Sequence, residues 1–231
     1  MYSVIKRIVD CILALVAFIV TLPIWLITII GIEINDPGPI FYIANRIGKD
    51  NKPFRMFKFR SMRVLKNPQE GSEASLRPEE DRIFFVGKLI RKLKIDELPQ
   101  LLNIIAGDMA IVGPRPVAKD QMNIFRVGRY DEAKRVRPGL TGPAALYDYI
   151  YGDQFEDSDV QEYIEKVLPT RRELELVYLQ KMSFGFDCRM IFATAFCVCC
   201  SMFGKENKKL LNKLVKMAEN SRVEEKESVS I

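Results

Sequence analysis

Between Cys11 and Ile32 the chain carries no charged residue, with Lys6, Arg7 and Asp10 before this stretch and Glu33 after it. Its length suits a membrane helix, and it offers no polar face for a soluble one. Further on the pattern shortens. Ile40-Phe41-Tyr42-Ile43 and the alternating Phe54–Arg60 predict two strands, with Lys58 and Arg60 on one face and Phe57 and Phe59 on the other. Ile83–Lys94 predicts a basic amphipathic helix. Leu98, Leu101, Leu102 and Ile105 fall at i, i+3, i+4 and i+7 of another, and Met109–Val112 is a short apolar strand. The acidic, aromatic stretch Asp148–Glu165 predicts a loop followed by a solvated helix, and Pro169 divides that helix from a second one over Thr170–Met182. Phe184–Phe203 is nearly apolar, but its clean part from Met190 is short for a span and suits an interfacial helix. The predicted fold is a helix-rich α/β domain.

Pro23 lies at the middle of the N-terminal apolar stretch, where it removes a backbone hydrogen bond. Basic residues flank both sides: Lys6 and Arg7 before it, and Arg46, Lys49, Lys52, Arg55, Lys58 and Arg60 after it. Positive flanks stay on the cytoplasmic side. A re-entrant hairpin that turns at Leu22-Pro23 satisfies both flanks, and a Pro-kinked span is the alternative. The chain then divides into a membrane segment (1–33), a catalytic-size domain (34–203) and a basic amphipathic tail (204–231), disordered beyond Ser221 and suited to an anionic membrane surface or to a solvated helix.

Composition narrows the chemistry. The chain has 35 Lys+Arg against 30 Asp+Glu, a formal net charge of +5, and no His. Imidazole acid–base catalysis and His-based nucleophile or metal sites are excluded. The five Cys lie in apolar surroundings without zinc spacing, and nothing suggests a disulfide framework. The cations lack the interleaved aromatic platform of a nucleic-acid binder.

The chemistry that remains centres on Asp96-Glu97. Asp96 sits where a helix N-cap belongs, with Pro99 in the first turn; capping alone is one account of the pair. Arg91, Lys92 and Lys94 run directly into these carboxylates, and Arg91 is close enough in sequence to share their pocket. Lys58 and Arg60 offer a phosphate contact or a solvated strand face. Arg115 lies between Pro114 and Pro116, which restrict its backbone and pre-orient a guanidinium suited to phosphate oxygens. Asn67–Arg82 is a polar loop that could cover a site.

Four segments occur in order: Lys58-Phe59-Arg60-Ser61-Met62, Asp96-Glu97-Leu98-Pro99-Gln100, Gly107-Asp108-Met109 with Val112-Gly113-Pro114-Arg115-Pro116, and Arg137-Pro138-Gly139-Leu140-Thr141-Gly142. Together they resemble the bacterial sugar transferases, monotopic phosphoglycosyl transferases, over roughly residues 1 to 200. The resemblance implies transfer of a hexose 1-phosphate from a UDP-sugar to undecaprenyl phosphate, with release of UMP, at the cytoplasmic face of a bacterial inner membrane. It implies Asp96 as nucleophile, through a covalent phosphosugar. Mg²⁺ would be held by Asp96, with Glu97 as a second catalytic residue in the metal shell or in acid–base work, and Lys58, Arg60, Arg91, Pro114, Arg115 and Arg137 would line the substrate. Anionic inner-membrane lipids are expected partners, and homo-oligomerisation is left open. Many members continue the last motif as Thr-Gly-Trp-Ala-Gln, where this chain has Thr141-Gly142-Pro143-Ala144-Ala145; the missing aromatic and amide leave the hexose unspecified. A catalytically silent scaffold of the same fold is the competing expectation.

Overall fold

The computed structural model describes residues 2–64, 82–152, 162–203 and 207–229. The loop expected from Asn67 lies outside them, except for Arg82, as does the acidic stretch 153–161.

Helix α1 (Tyr2–Asn35) is followed by an antiparallel hairpin of β1 (Phe41–Ile47) and β2 (Pro53–Phe59), in register Phe41 to Phe59 and Ile47 to Pro53. The first strand runs further than Ile40–Ile43 because the partner strand satisfies its whole length. Asp50 and Asn51 make the turn with positive φ, which short amide and carboxylate side chains tolerate. Helices α2 (Phe85–Lys92) and α3 (Gln100–Ala106) follow, then β3 (Ala110–Val112), a short α4 (Met122–Phe125) and β4 (Gly139–Thr141), which pairs in parallel with β3. The chain continues through α5 (Pro143–Gly152), α6 (Leu168–Lys181), α7 (Phe184–Met202) and α8 (Lys208–Val229). The structure is helix-rich α/β, as expected.

The glycines of the third and fourth motifs are explained by backbone packing. A Cβ on Gly139 would lie 2.1 Å from Gly113 N, and one on Gly113 would lie 2.5 Å from Arg137 O. Only a residue without a side chain lets the two segments meet this closely.

Helix α1 is uninterrupted through Pro23, so the turn expected at Leu22-Pro23 is not a break in its secondary structure. The Thr21 hydroxyl donates to Ala17 O at 2.7 Å, an ordinary i−4 back-bond within one turn of the Ile19 carbonyl that Pro23 leaves without its N–H. The helix lies against the domain along its length. Ala14 packs with Leu101, Ile104 and Met109, while Trp25 and Ile32 pack with Phe59, Phe84 and Ile90. Both ends are tied down. Arg7 donates to the Ile104 and Ile105 carbonyls at the end of α3, and Asn35 Oδ1 accepts from Val86 N at 3.2 Å. The opposite face leaves Ile12, Val16, Ile19, Val20, Ile27 and Ile30 exposed. Helix α7 is built likewise: Phe186, Met190 and Cys197 face the core, and Phe184, Phe192 and Phe196 face out.

Two readings of the C-terminal half change. Asp148–Gly152, expected to be loop, is helical and belongs to α5, because Leu146 and Tyr147 join the core and carry the helix past the start of the acidic run. The basic tail is helical to Val229, and its apolar face turns inward rather than to a membrane. Leu214 and Ala218 pack into the core shared by α5 and α6, and Ser221 Oγ donates to the fully buried Glu173 at 2.8 Å.

Candidate active site

Helix α2 ends where Lys94 takes a left-handed conformation (φ 56°), and Leu93 N and Lys94 N close its last turn. For a non-glycine this costs about 1 kcal/mol or more, and such residues concentrate at functional sites. The next three residues, Ile95–Glu97, form one 3-10 turn ahead of α3. Asp96 is therefore not the N-cap. That position of α3 falls to Pro99, and no side-chain cap bond forms. Freed from capping, Asp96 Oδ1 is buried with no hydrogen-bond partner.

Lys58 reaches this turn from β2. Its Nζ lies 3.2 Å from Glu97 Oε1 and 4.0 Å from Asp96 Oδ2. The approach is held by Asn103, a fully buried amide within the Leu/Ile run of α3. Its Oδ1 accepts from Phe57 N at 3.0 Å and its Nδ2 donates to Arg55 O at 2.7 Å. The side chain thereby completes the open edge of β2 and fixes α3 one residue from Lys58. A lone Asn in a Leu/Ile stripe was the available sequence signal for this clasp.

The two carboxylates differ in electrostatics. Burial pushes the Asp96 carboxyl above the usual aspartate range; Lys58 opposes the rise and the Glu97 charge adds to it. Burial would raise Glu97 as well, but Lys58, then Lys94 and Arg115, hold it down to about 2. Glu97 is the settled anion of the pair.

Around them stand Arg91 on α2, whose charge acts on Asp96, and Lys94, whose Nζ sits 4.6 Å above the Tyr149 ring. Arg115 Nη1 lies 3.6 Å from Asp148 Oδ2. The backbone beside Arg115 is braced: Pro114 O accepts from Gly139 N at 2.8 Å, and Arg115 O accepts from Arg126 Nη2 at 3.2 Å. Asp148 is gripped from behind by Arg171 at 3.2 Å, and Tyr163, which accepts from Arg171, donates to it at 3.3 Å. Asn103, Asp148, Tyr149 and Arg171 are site residues that the sequence reading lacked, and Lys94, read there as part of the basic run, stands with them.

Two expected members stand elsewhere. Arg60 is buried and committed to the Asp36 carboxylate and to the Asp36 and Pro39 carbonyls, with its guanidinium carbon 5.5 Å from the Phe84 ring centroid. It staples the exit of α1 to β2 rather than presenting a free cation beside Lys58. Arg137 donates Nε to Gly107 O at 2.7 Å and opens onto a different cavity, whose lining includes none of Lys58, Asp96, Glu97 or Arg115.

The donor set fits a hard divalent cation. Asp96 and Glu97 are adjacent oxygen donors, and Asp96 Oδ1 is an orphaned buried acceptor. No group of three or more potential ligands forms among the described residues. Mg²⁺ keeps several waters and is held by one or two carboxylates together with substrate phosphates, so a pair of carboxylates meets its needs.

The family whose sequence pattern matches residues 1–201 is described as bacterial sugar transferase. The UDP-N-acetylgalactosamine-undecaprenyl-phosphate N-acetylgalactosaminephosphotransferase of Aeromonas hydrophila is 34% identical over 84% of this chain and 43% of its own length. The UDP-glucose:undecaprenyl-phosphate glucose-1-phosphate transferase of Escherichia coli K12 is 33% identical over 83% of this chain and 39% of its own. The chain thus spans about two-fifths of these relatives. The exopolysaccharide production protein ExoY of Sinorhizobium fredii is 36% identical over 85% of this chain and 86% of its own length. The chain belongs to the bacterial sugar transferase family.

Proposed function

We propose that this protein transfers a hexose 1-phosphate from a UDP-sugar to undecaprenyl phosphate at a membrane surface. The observation that carries the reading is Asp96: a buried carboxylate with one unpartnered oxygen, in the field of Lys58, Lys94 and Arg91. An anion attacking a diphosphate needs its charge neutralised on all sides, and Lys58, Arg91, Lys94 and Arg115 surround the place where that charge develops. In the first step an Asp96 oxygen attacks the sugar-bearing phosphorus, the phosphoanhydride bond breaks, and UMP leaves with the bonding electron pair. In the second step a phosphate oxygen of the polyprenyl carrier attacks the same phosphorus and displaces the Asp96 carboxylate, leaving a lipid-linked diphosphosugar. Glu97 stays ionised and holds Lys58 at the pair. Mg²⁺ bound at Asp96 and Glu97 would supply further neutralisation of the diphosphate.

The relatives named for UDP-sugar and undecaprenyl-phosphate substrates support this substrate class. The membrane seat is supported by the exposed apolar faces of α1 and α7. Helix α1 is about 51 Å long at 34 residues, more than a bilayer core requires, yet both of its ends dock on one domain. That arrangement, with α1 unbroken and packed against the domain along its length, favours a helix held within one leaflet over one that crosses. Both ends then share the cytoplasmic side with the catalytic domain.

Asp96→Asn is expected to abolish UMP release and the covalent phosphosugar adduct in intact-mass measurements while leaving membrane association intact. Turnover retained by that variant refutes the nucleophile, and no lipid-linked product from the wild type across a panel of UDP-sugars refutes the enzyme and favours a silent scaffold. Impermeant thiol labelling of single cysteines placed at Ser3 and Asn45 is expected to reach both from the cytoplasm only; periplasmic labelling at residue 45 overturns the helix held within one leaflet.

A further inference from the structure

The cavity onto which Arg137 opens lies at the foot of α1 and has a volume of about 60 Å³. Five cations line it, Lys6, Arg7, Lys49, Arg135 and Arg137, against one carboxylate, Asp10. Lys6 is neutralised by Asp10 at 3.0 Å and by Asp187 at 2.7 Å, and Arg135 by Glu132 at 2.6 Å. Arg7 and Arg137 are bound only to backbone carbonyls, and Lys49 is exposed; among the described residues none of the three has a carboxylate partner. Three uncompensated positive charges converging on one concavity favour an anion there. A space of that size takes a few waters, room for the oxygens of one phosphate.

We propose that this cavity is a second anion site, separate from the Asp96 pocket, which takes a phosphate group supplied by an anionic phospholipid. The source is argued from the surroundings. Val4, Ile5 and Ile8 on the same turns of α1 are 64%, 52% and 56% exposed, so acyl chains have apolar surface beside the cations. The lipid source rests on the membrane seating proposed above. The phosphate chemistry stands on the cavity alone. Occupancy would fasten α1, β3 and the Arg135–Arg137 segment to the headgroup layer, and it gives the tail-independent part of the chain a lipid preference.

The test uses the full chain in uncharged detergent, with native mass spectrometry to count bound phosphatidylglycerol and phosphatidylcholine and with inorganic phosphate as competitor. One phosphatidylglycerol is expected to bind in preference to phosphatidylcholine. The Lys49→Ala variant, which alters an exposed side chain only, is expected to weaken that binding roughly fivefold with an unchanged circular dichroism spectrum. Arg137→Gln should weaken it as well. Equal retention of both lipids, or unchanged phosphatidylglycerol binding in both variants, overturns the site. Millimolar inorganic phosphate that binds as well as the lipid upholds the phosphate site and overturns the lipid source. Sugar-phosphate turnover measured on the same preparations separates the two readings: turnover without lipid preference fails this inference alone, and lipid preference without turnover fails the proposed function alone.

Discussion

Lys58 Nζ lies 3.2 Å from Glu97 Oε1 and 0.8 Å farther, at 4.0 Å, from Asp96 Oδ2, so the cation pairs mainly with the carboxylate that is not the proposed nucleophile. The uneven split matters because a nucleophile held tightly by an ammonium is quenched, whereas one beside it gains the field and keeps its lone pairs. Glu97 acts as a tether for Lys58, and Lys58 is positioned to meet charge that develops on substrate phosphate.

Lys58→Met is therefore expected to lower kcat for UMP release by roughly 10²–10³-fold, the cost of removing one preorganised donor to a developing charge. Glu97→Gln, which keeps an oxygen donor for Mg²⁺, should produce a smaller loss, because Lys58 keeps its place on β2 but loses its tether. Steady-state kinetics with the preferred UDP-sugar checks the order. A larger loss in Glu97→Gln than in Lys58→Met reverses the assignment.

Asn103 tests whether the clasp between α3 and β2 sets the Lys58 approach. Asn103→Ala leaves the Phe57 N–H and the Arg55 carbonyl without their partner, at a cost of about 1–3 kcal/mol. The thermal midpoint should fall by roughly 2–12 °C for a chain of this length. If the clasp also positions Lys58, kcat per folded molecule falls too, below the thermal transition. Lost stability with unchanged kcat would leave Asn103 a structural residue only.

How much of this was legible depends on the range of the interaction. The two strands, the amphipathic α2 and the apolar α7 follow from local periodicity, while α1 begins well before the Cys11–Ile32 stretch that announced it and runs unbroken through Pro23. The partners of charged residues do not follow, because charge type carries no address. Arg60 looks as available as Lys58 until Asp36, 24 residues upstream, is seen to hold it. Asp148 and Tyr149 were absorbed into an acidic run that reads as loop, although burial of Leu146 and Tyr147 keeps them helical. The left-handed Lys94 has no glycine to announce it, and it is this turn that moves Asp96 off the helix cap. Whether the apolar face of α8 meets lipid or protein is decided by Glu173 and the α5–α6 core, which no helical wheel contains.

Arg60 supplies the sharpest separation of fold from chemistry. Its guanidinium is 5% exposed and pairs with an Asp36 carboxylate that keeps 24% of its surface in water. Removing one partner of a fully buried pair costs about 3–5 kcal/mol, and the partial exposure of Asp36 puts Arg60→Ala near the lower end, about 3 kcal/mol. The thermal midpoint should drop by roughly 6–12 °C, and the two carbonyls that Arg60 now satisfies would have to recruit water. Because the side chain does not face the Asp96 pair, KM for the UDP-sugar and kcat per folded molecule should stay within about twofold at a temperature well below the transition, a limit set by the size of ordinary indirect effects. A fall in kcat matching that of Lys58→Met, without loss of stability, would return Arg60 to the substrate and make its contacts with Asp36 a resting arrangement that opens when phosphate binds.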